Sequence, residues 1–130
     1  MIDKNENLCF IVAGDEMQKL MNKEFPERKT IPFREDFSQG EYAGFTFDNE
    51  FIRKRALLWN VSEKEYVENF SPIINLDMDE RYVLCFGEDE CCKANLEFML
   101  NYLKYNGYSQ PVRVQILDEY SLEIKNEYLV

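Results

Sequence analysis

Apolar positions along this chain fall into two kinds of run: short unbroken stretches, and stripes spaced three and four residues apart. Residues 8–13 (LCFIVA) are the first unbroken stretch, the pattern of a strand covered on both faces. Gly14-Asp15 breaks it. Asp15 reads as an N-cap with Gln18 three residues on, as in a capping box. Met17, Leu20, Met21 and Phe25 then form one helical stripe before Pro26 ends it. Residues 30–33 read as a short second strand, with Pro32 tolerable only near a sheet edge.

Residues 34–48 lack periodicity, contain Gly40 and Gly44, and are long for a loop in a compact domain; such loops are often functional. Asp48 or Asn49 caps the next helix, on which Phe51, Ile52, Leu58 and Trp59 are expected to share a face. Ser62 and Glu65 form another capping box, stapled by Val61 and Tyr66, and that helix is expected to stop near Pro72. Residues 82–86 are a second buried strand, broken by Gly87 as the first is by Gly14. Glu88 or Asp89 caps the longest helix, whose stripe is Cys92, Leu96, Met99 and Leu103, and Asn106-Gly107 supplies its stop. Residues 112–116 alternate as a half-exposed strand does, and residues 122–130 are expected to add a short antiparallel strand.

Strands alternating with helices predict an α/β domain with about four parallel strands, the first and third being central neighbours. Helices then lie on both faces, in Rossmann-like or flavodoxin-like layering. No repeat or linker divides residues 1–130, so a single domain is expected. A hydrophobic content of 45%, with 15% aromatics, is enough for a core without metals or disulfides.

Charge then removes several partners. With 15 basic and 25 acidic residues the net charge is −10, which opposes duplex nucleic acid and anionic membranes. A small polar ligand or a basic protein stays compatible. No run approaches the roughly 20 apolar residues of a membrane span, and the polar residues 1–7 do not read as a secretory leader. Cys9 and Cys85 fall in predicted strands, Cys91 and Cys92 on a predicted helix. That is no disulfide framework, and it points to the cytoplasm. The Asn60-Val61-Ser62 sequon carries no weight there.

The chain has no histidine, which excludes Ser-His-Asp triads and histidine-bearing zinc sites. It has neither GxGxxG nor GxxxxGK[ST], so no nucleotide cradle is indicated and no cofactor is expected. Arg53-Lys54-Arg55 reads as a solvated helix face, and Asp77-Met78-Asp79, which precedes a strand, as a solvated loop. Cys91 and Cys92 fall in a helix's first turn, where the dipole lowers a thiol pKa, but Glu88, Asp89 and Glu90 oppose this. Cys92 lies on the core stripe and reads as packing. Tyr42, Phe45 and Phe47 are candidates to line a pocket or a partner surface.

In open α/β sheets, ligands bind beyond the carboxyl ends of the strands, where strand order reverses. Those ends carry Gly14-Asp15, Arg34-Glu35-Asp36, Gly87-Glu88-Asp89 and Asp118-Glu119. Each strand empties into carboxylates along one edge. An Asp after a strand is ordinarily just a cap; convergence with Arg34 and a long loop marks this edge as the candidate site. The carboxylates suit magnesium in kind, but their spacing has no metal signature and no metal site is assigned.

Three blocks carry a resemblance. They are the strand ending in Gly14-Asp15, the segment Ile31-Pro32-Phe33-Arg34-Glu35-Asp36-Phe37-Ser38-Gln39-Gly40, and Cys85-Phe86-Gly87-Glu88-Asp89-Glu90-Cys91-Cys92-Lys93-Ala94-Asn95-Leu96. Together, over residues 8–103, they resemble a bacterial family catalogued as domain of unknown function 1835. The resemblance implies a parallel α/β domain with Asp15, Arg34, Asp36, Ser38, Asp89, Cys92 and Asn95 at the family's motif positions. It implies no activity. A histidine often seen in that family's first strand is missing here, and so is a second domain, which implies a partial or binding-only version.

Two functions follow as expectations. One is a small-ligand site in which Arg34 pairs with an anion, Asp15, Asp36 and Asp89 hold polar or cationic groups, and Ser38 and Asn95 orient the ligand. The other is an acidic module that binds a basic protein, as a regulator or an immunity-type inhibitor does.

Overall fold

A computed structural model describes residues 7–130; the leader reading for residues 1–7 thus lies, Asn7 apart, outside the described residues. The chain runs β1 (Leu8–Val12), α1 (Asp15–Glu24), β2 (Lys29–Pro32), α2 (Asn49–Trp59), α3 (Glu63–Ile74), β3 (Arg81–Phe86), α4 (Glu90–Tyr105), β4 (Arg113–Leu117) and β5 (Ile124–Leu129). The strands form one sheet in the order β2-β1-β3-β4-β5. The first four are parallel and β5 is antiparallel to β4. The architecture is α/β, in Rossmann- or flavodoxin-like layering with one extra strand.

The unbroken apolar runs are the central strands. β1 and β3 pair directly, Phe10 beside Val83 and Val12 beside Cys85, and their side chains alternate between two cores. On one face Cys9, Ile11, Tyr82, Leu84 and Phe86 pack against α2, α3 and α4; on the other Phe10, Val12, Val83 and Cys85 meet Met17 and Met21 of α1. A parallel strand needs such cover on both sides.

Most caps fall where the spacing places them. Asp48, Ser62 and Asp89 accept the backbone N–H groups of Phe51, Glu65 and Cys92. The stop of α4 is Asn106 followed by Gly107 at φ 76°, with the Tyr108 N–H returning to the Leu103 carbonyl.

Three expectations are corrected. Gly14, not Asp15, is the N-cap of α1, and no side chain caps it; Gln18 turns instead to the Thr30 hydroxyl. α3 runs through Pro72 to Ile74. Pro72 has no N–H for the Glu68 carbonyl, and the Ser71 hydroxyl donates there at 3.0 Å. On α2, Phe51 is fully buried while Leu58 and Trp59 stay 43% and 40% exposed, because the helix's last turn lies over the preceding loop, at Gly40 and Glu35, rather than the core. Tyr42, Phe45 and Phe47 lie outside the walls of both pockets described below. They fold onto Phe51, Phe98 and Tyr102 as a half-buried extension of the core.

The antiparallel tail strand is present as β5. All six of its residues are exposed, and its pairing with β4 shifts register beside Ile116 and Leu117. Among the described residues no helix is long and apolar enough to cross a membrane.

Candidate functional site

Strand order reverses between β1 and β3: α1 carries the chain from β1 to one side, α4 from β3 to the other. The two helices leave on opposite faces of the sheet, so the strand ends are not bridged there. A cleft of about 740 Å³ opens at that point. Gly14, Asp15, Met17, Leu20 and Lys23 line one wall; Asp89, Cys92, Glu119 and Tyr120 line the other.

Three side chains converge on the second wall. The β3–α4 turn supplies Asp89, the first turn of α4 supplies Cys92, and the turn after β4 supplies Glu119. One donor atom from each lies within 4.8 Å of the others. Asp89 accepts the Cys92 N–H at 2.7 Å, and the Cys92 thiol lies 3.5 Å from Glu119 Oε1. Gly87 makes room for this: a Cβ there would stand 2.5 Å from Glu119 Oε1.

The Cys92 N–H and a hydrogen bond with Glu119 hold the Asp89 carboxyl below the usual carboxylate range. That same hydrogen bond, with burial and the Asp89 charge, raises the Glu119 carboxyl above its ordinary value. Burial first, and the carboxylates beside them, push the thiols of Cys91 and Cys92 up to about 12. Both are neutral thiols near pH 7.

A second, smaller pocket of about 280 Å³ lies toward β2, lined by Arg34, Asp36, Trp59, Val61, Tyr66 and Asn69. Arg34 is ion-paired with Asp15 at 2.9 Å on the rim between the two spaces. Beneath it the long loop is fastened by a buried pair. The side chains of Arg55 and Glu35 are both fully buried, joined Nε to Oε2 and Nη2 to Oε1 at 2.8 Å. Tyr66 and Trp59 donate to the same carboxylate at 2.7 and 2.8 Å, and Arg55 also reaches the carbonyls of Asp36, Gln39 and Glu41.

Of the residues the sequence singles out, Asp15 and Asp89 line the large cleft, and Arg34 and Asp36 line the small pocket. Ser38 is engaged by Asp36, whose Oδ1 accepts both its N–H and its hydroxyl. Asn95 is fully buried and spans the loop: its amide donates to the Glu35 carbonyl and accepts the Phe37 N–H. The Arg53-Lys54-Arg55 reading is corrected for Arg55, which is interior rather than solvated. One of three consecutive helical residues must face inward, and a buried Glu35 is what makes an arginine tolerable there. Glu119 was legible only as the end of a strand.

Burial works against ionisation of Asp36, but the Ser38 hydroxyl and N–H overcome it and hold the carboxyl below its ordinary value. A depressed folded pKa gives stability that is present above the unfolded value, about 3.9, and lost as pH falls through the folded one. Asp36→Asn is expected to lower the melting temperature at pH 7 and to converge with the wild type toward pH 2. Melting curves of both proteins across that range check it; a gap that stays constant with pH removes the charge from the explanation.

In comparisons with protein-family models, curated proteins and solved structures, nothing matches this chain.

Proposed function

We propose that the chain binds a small polar ligand in the cleft between the ends of β1 and β3. The observation that carries this reading is the position of the cleft: a space of about 740 Å³ opens where the order of the sheet's strands reverses. Its walls combine apolar surface from Met17 and Leu20 with polar groups at Asp15, Lys23, Asp89 and Glu119, the mixture that orients small ligands. Kinship with domain of unknown function 1835 belongs to the same proposal. Its outer blocks meet at this cleft, and its middle block forms the fastened loop beside it. A cytoplasmic setting is supported by four free thiols. The alternative of an acidic module for a basic protein has the net charge in its favour, but the rings of Tyr42, Phe45 and Phe47 are engaged in the core.

A thermal-shift panel of nucleotides, amino acids, sugar phosphates and polyamines, run with a chelator present, tests the reading. A compound at a hundred times its dissociation constant stabilises by about 2.7 kcal/mol. Leu20→Trp fills the cleft and is expected to abolish the shift, whereas Asp36→Ala leaves it intact. A shift lost in Asp36→Ala and kept in Leu20→Trp would move the ligand to the smaller pocket. A flat panel counts against ligand binding altogether.

A further inference from the structure

Resting on the reading that the cleft is the binding site, we propose that its wall is a metal site: Asp89, Cys92 and Glu119 hold a borderline-soft divalent cation of the zinc class. The fourth position of that cation opens into the cleft. The claim stands on a built donor set of mixed chemistry. A tetrahedral zinc with Zn–S near 2.3 Å and Zn–O near 2.0 Å separates sulfur from oxygen by about 3.5 Å. The Cys92 Sγ and Glu119 Oε1 atoms are 3.5 Å apart, and Asp89 supplies a third donor within 4.8 Å of both.

Three further observations select a cation of this kind. Cys92 is only 4% exposed, yet it belongs to the cleft wall, with its sulfur beside the Glu119 carboxylate that lines the same wall. Among the described residues no ion pair engages Asp89 or Glu119, whereas the interior carboxylate of Glu35 has Arg55 against it. Two carboxyls in contact with no side-chain cation between them are a place for a metal charge. The thiol decides which metal: magnesium and calcium take oxygen donors, while sulfur with carboxylates suits zinc. Gly87 contributes by absence, since any side chain there meets the Glu119 carboxylate. On binding, the cation replaces the thiol proton, which passes to solvent. A nitrogen or oxygen of the cleft's ligand, or a water, completes the tetrahedron.

Cobalt(II) is the probe, because a Co–thiolate bond absorbs in the near ultraviolet and a tetrahedral ion absorbs strongly in the visible. The whole chain, stripped with EDTA and desalted, is titrated with CoCl2. One equivalent is expected to raise both bands, and ZnCl2 to bleach them; MgCl2 is expected to leave them unchanged. Cys92→Ser abolishes the near-ultraviolet band and Cys91→Ser, one residue away, retains it. Glu119→Gln, at an exposed turn, keeps the fold and weakens cobalt binding by more than about tenfold. Absence of a thiolate band at stoichiometric cobalt, or a band that survives Cys92→Ser, overturns the metal site. The chelated panel above separates the two readings: a metabolite shift lost in Leu20→Trp with no cobalt band leaves the cleft standing without its metal.

Discussion

Arg55→Met destabilises the protein by about 3–5 kcal/mol, a large share of what a domain of this size has. The cost is not the lost attraction alone. Methionine fills much of the arginine's volume but leaves Glu35 as a buried carboxylate whose remaining partners are neutral donors: Tyr66, Trp59 and the Asp36 N–H. It also strips the carbonyls of Asp36, Gln39 and Glu41 of a donor. Urea unfolding with an unchanged slope and a lower midpoint reads this directly. The double variant Glu35→Gln with Arg55→Met is expected to recover a good part of the loss, since no lone charge then remains buried. A single-variant cost below about 1 kcal/mol would mean that water reaches Glu35 and that the loop is not fastened by this pair.

Phe98→Ala is expected to cost a similar 3–5 kcal/mol, through a different mechanism. Phe98 is fully buried on α4 and joins the helix layer to the long loop. Phe37 stacks on it at 4.0 Å, and Tyr42, Phe45 and Phe47 approach with centroids 5.3–6.0 Å away. Truncation leaves a cavity among rings of the long loop, Phe51 of α2 and Tyr102 of α4, which cannot all close on it because each is also held by other ring contacts. Phe98→Leu keeps most of the volume and is expected to cost less than half as much. Equal losses in both variants would point to ring-specific contacts rather than to the cavity. Differential unfolding of the two proteins by urea decides it.

The regular elements were legible because each repeats a local rule. The runs at residues 8–13 and 82–86 carry no polar position, so only a strand buried on both faces accommodates them. Asp48, Ser62 and Asp89 cap because a short oxygen-bearing side chain three residues before a free N–H is a self-contained unit. What stayed hidden depends on partners far along the chain. Arg55 is inside because Glu35 is there, twenty positions earlier. Residues 34–48 have no period since the loop packs as irregular backbone, with Arg55 and Asn95 satisfying its carbonyls and N–H groups in place of a ladder. The half-burial of Tyr42, Phe45 and Phe47 against Phe98 and Tyr102 therefore has no local signal.

The site divides in the same way. Asp15 and Asp89 follow strands directly, and the rule about strand ends finds them. Glu119 reaches Asp89 only because β4 lies beside β3, a pairing that no local spacing encodes. Cys92 falls on a helical stripe at the one turn where that stripe passes the sheet's end, so a core position and a cleft position are the same residue.

The two outer strands bear on how the molecule behaves in a crowded solution. A free strand edge is a template on which another chain can add itself and begin an aggregate. Here β2 offers only four residues and ends in Pro32, which has no N–H to donate. β5 is longer and exposed throughout, but its register shift and the charges of Lys125 and Glu127 spoil it as a flat ladder. Among the described residues, both edges of the sheet are thus poor templates for sideways growth.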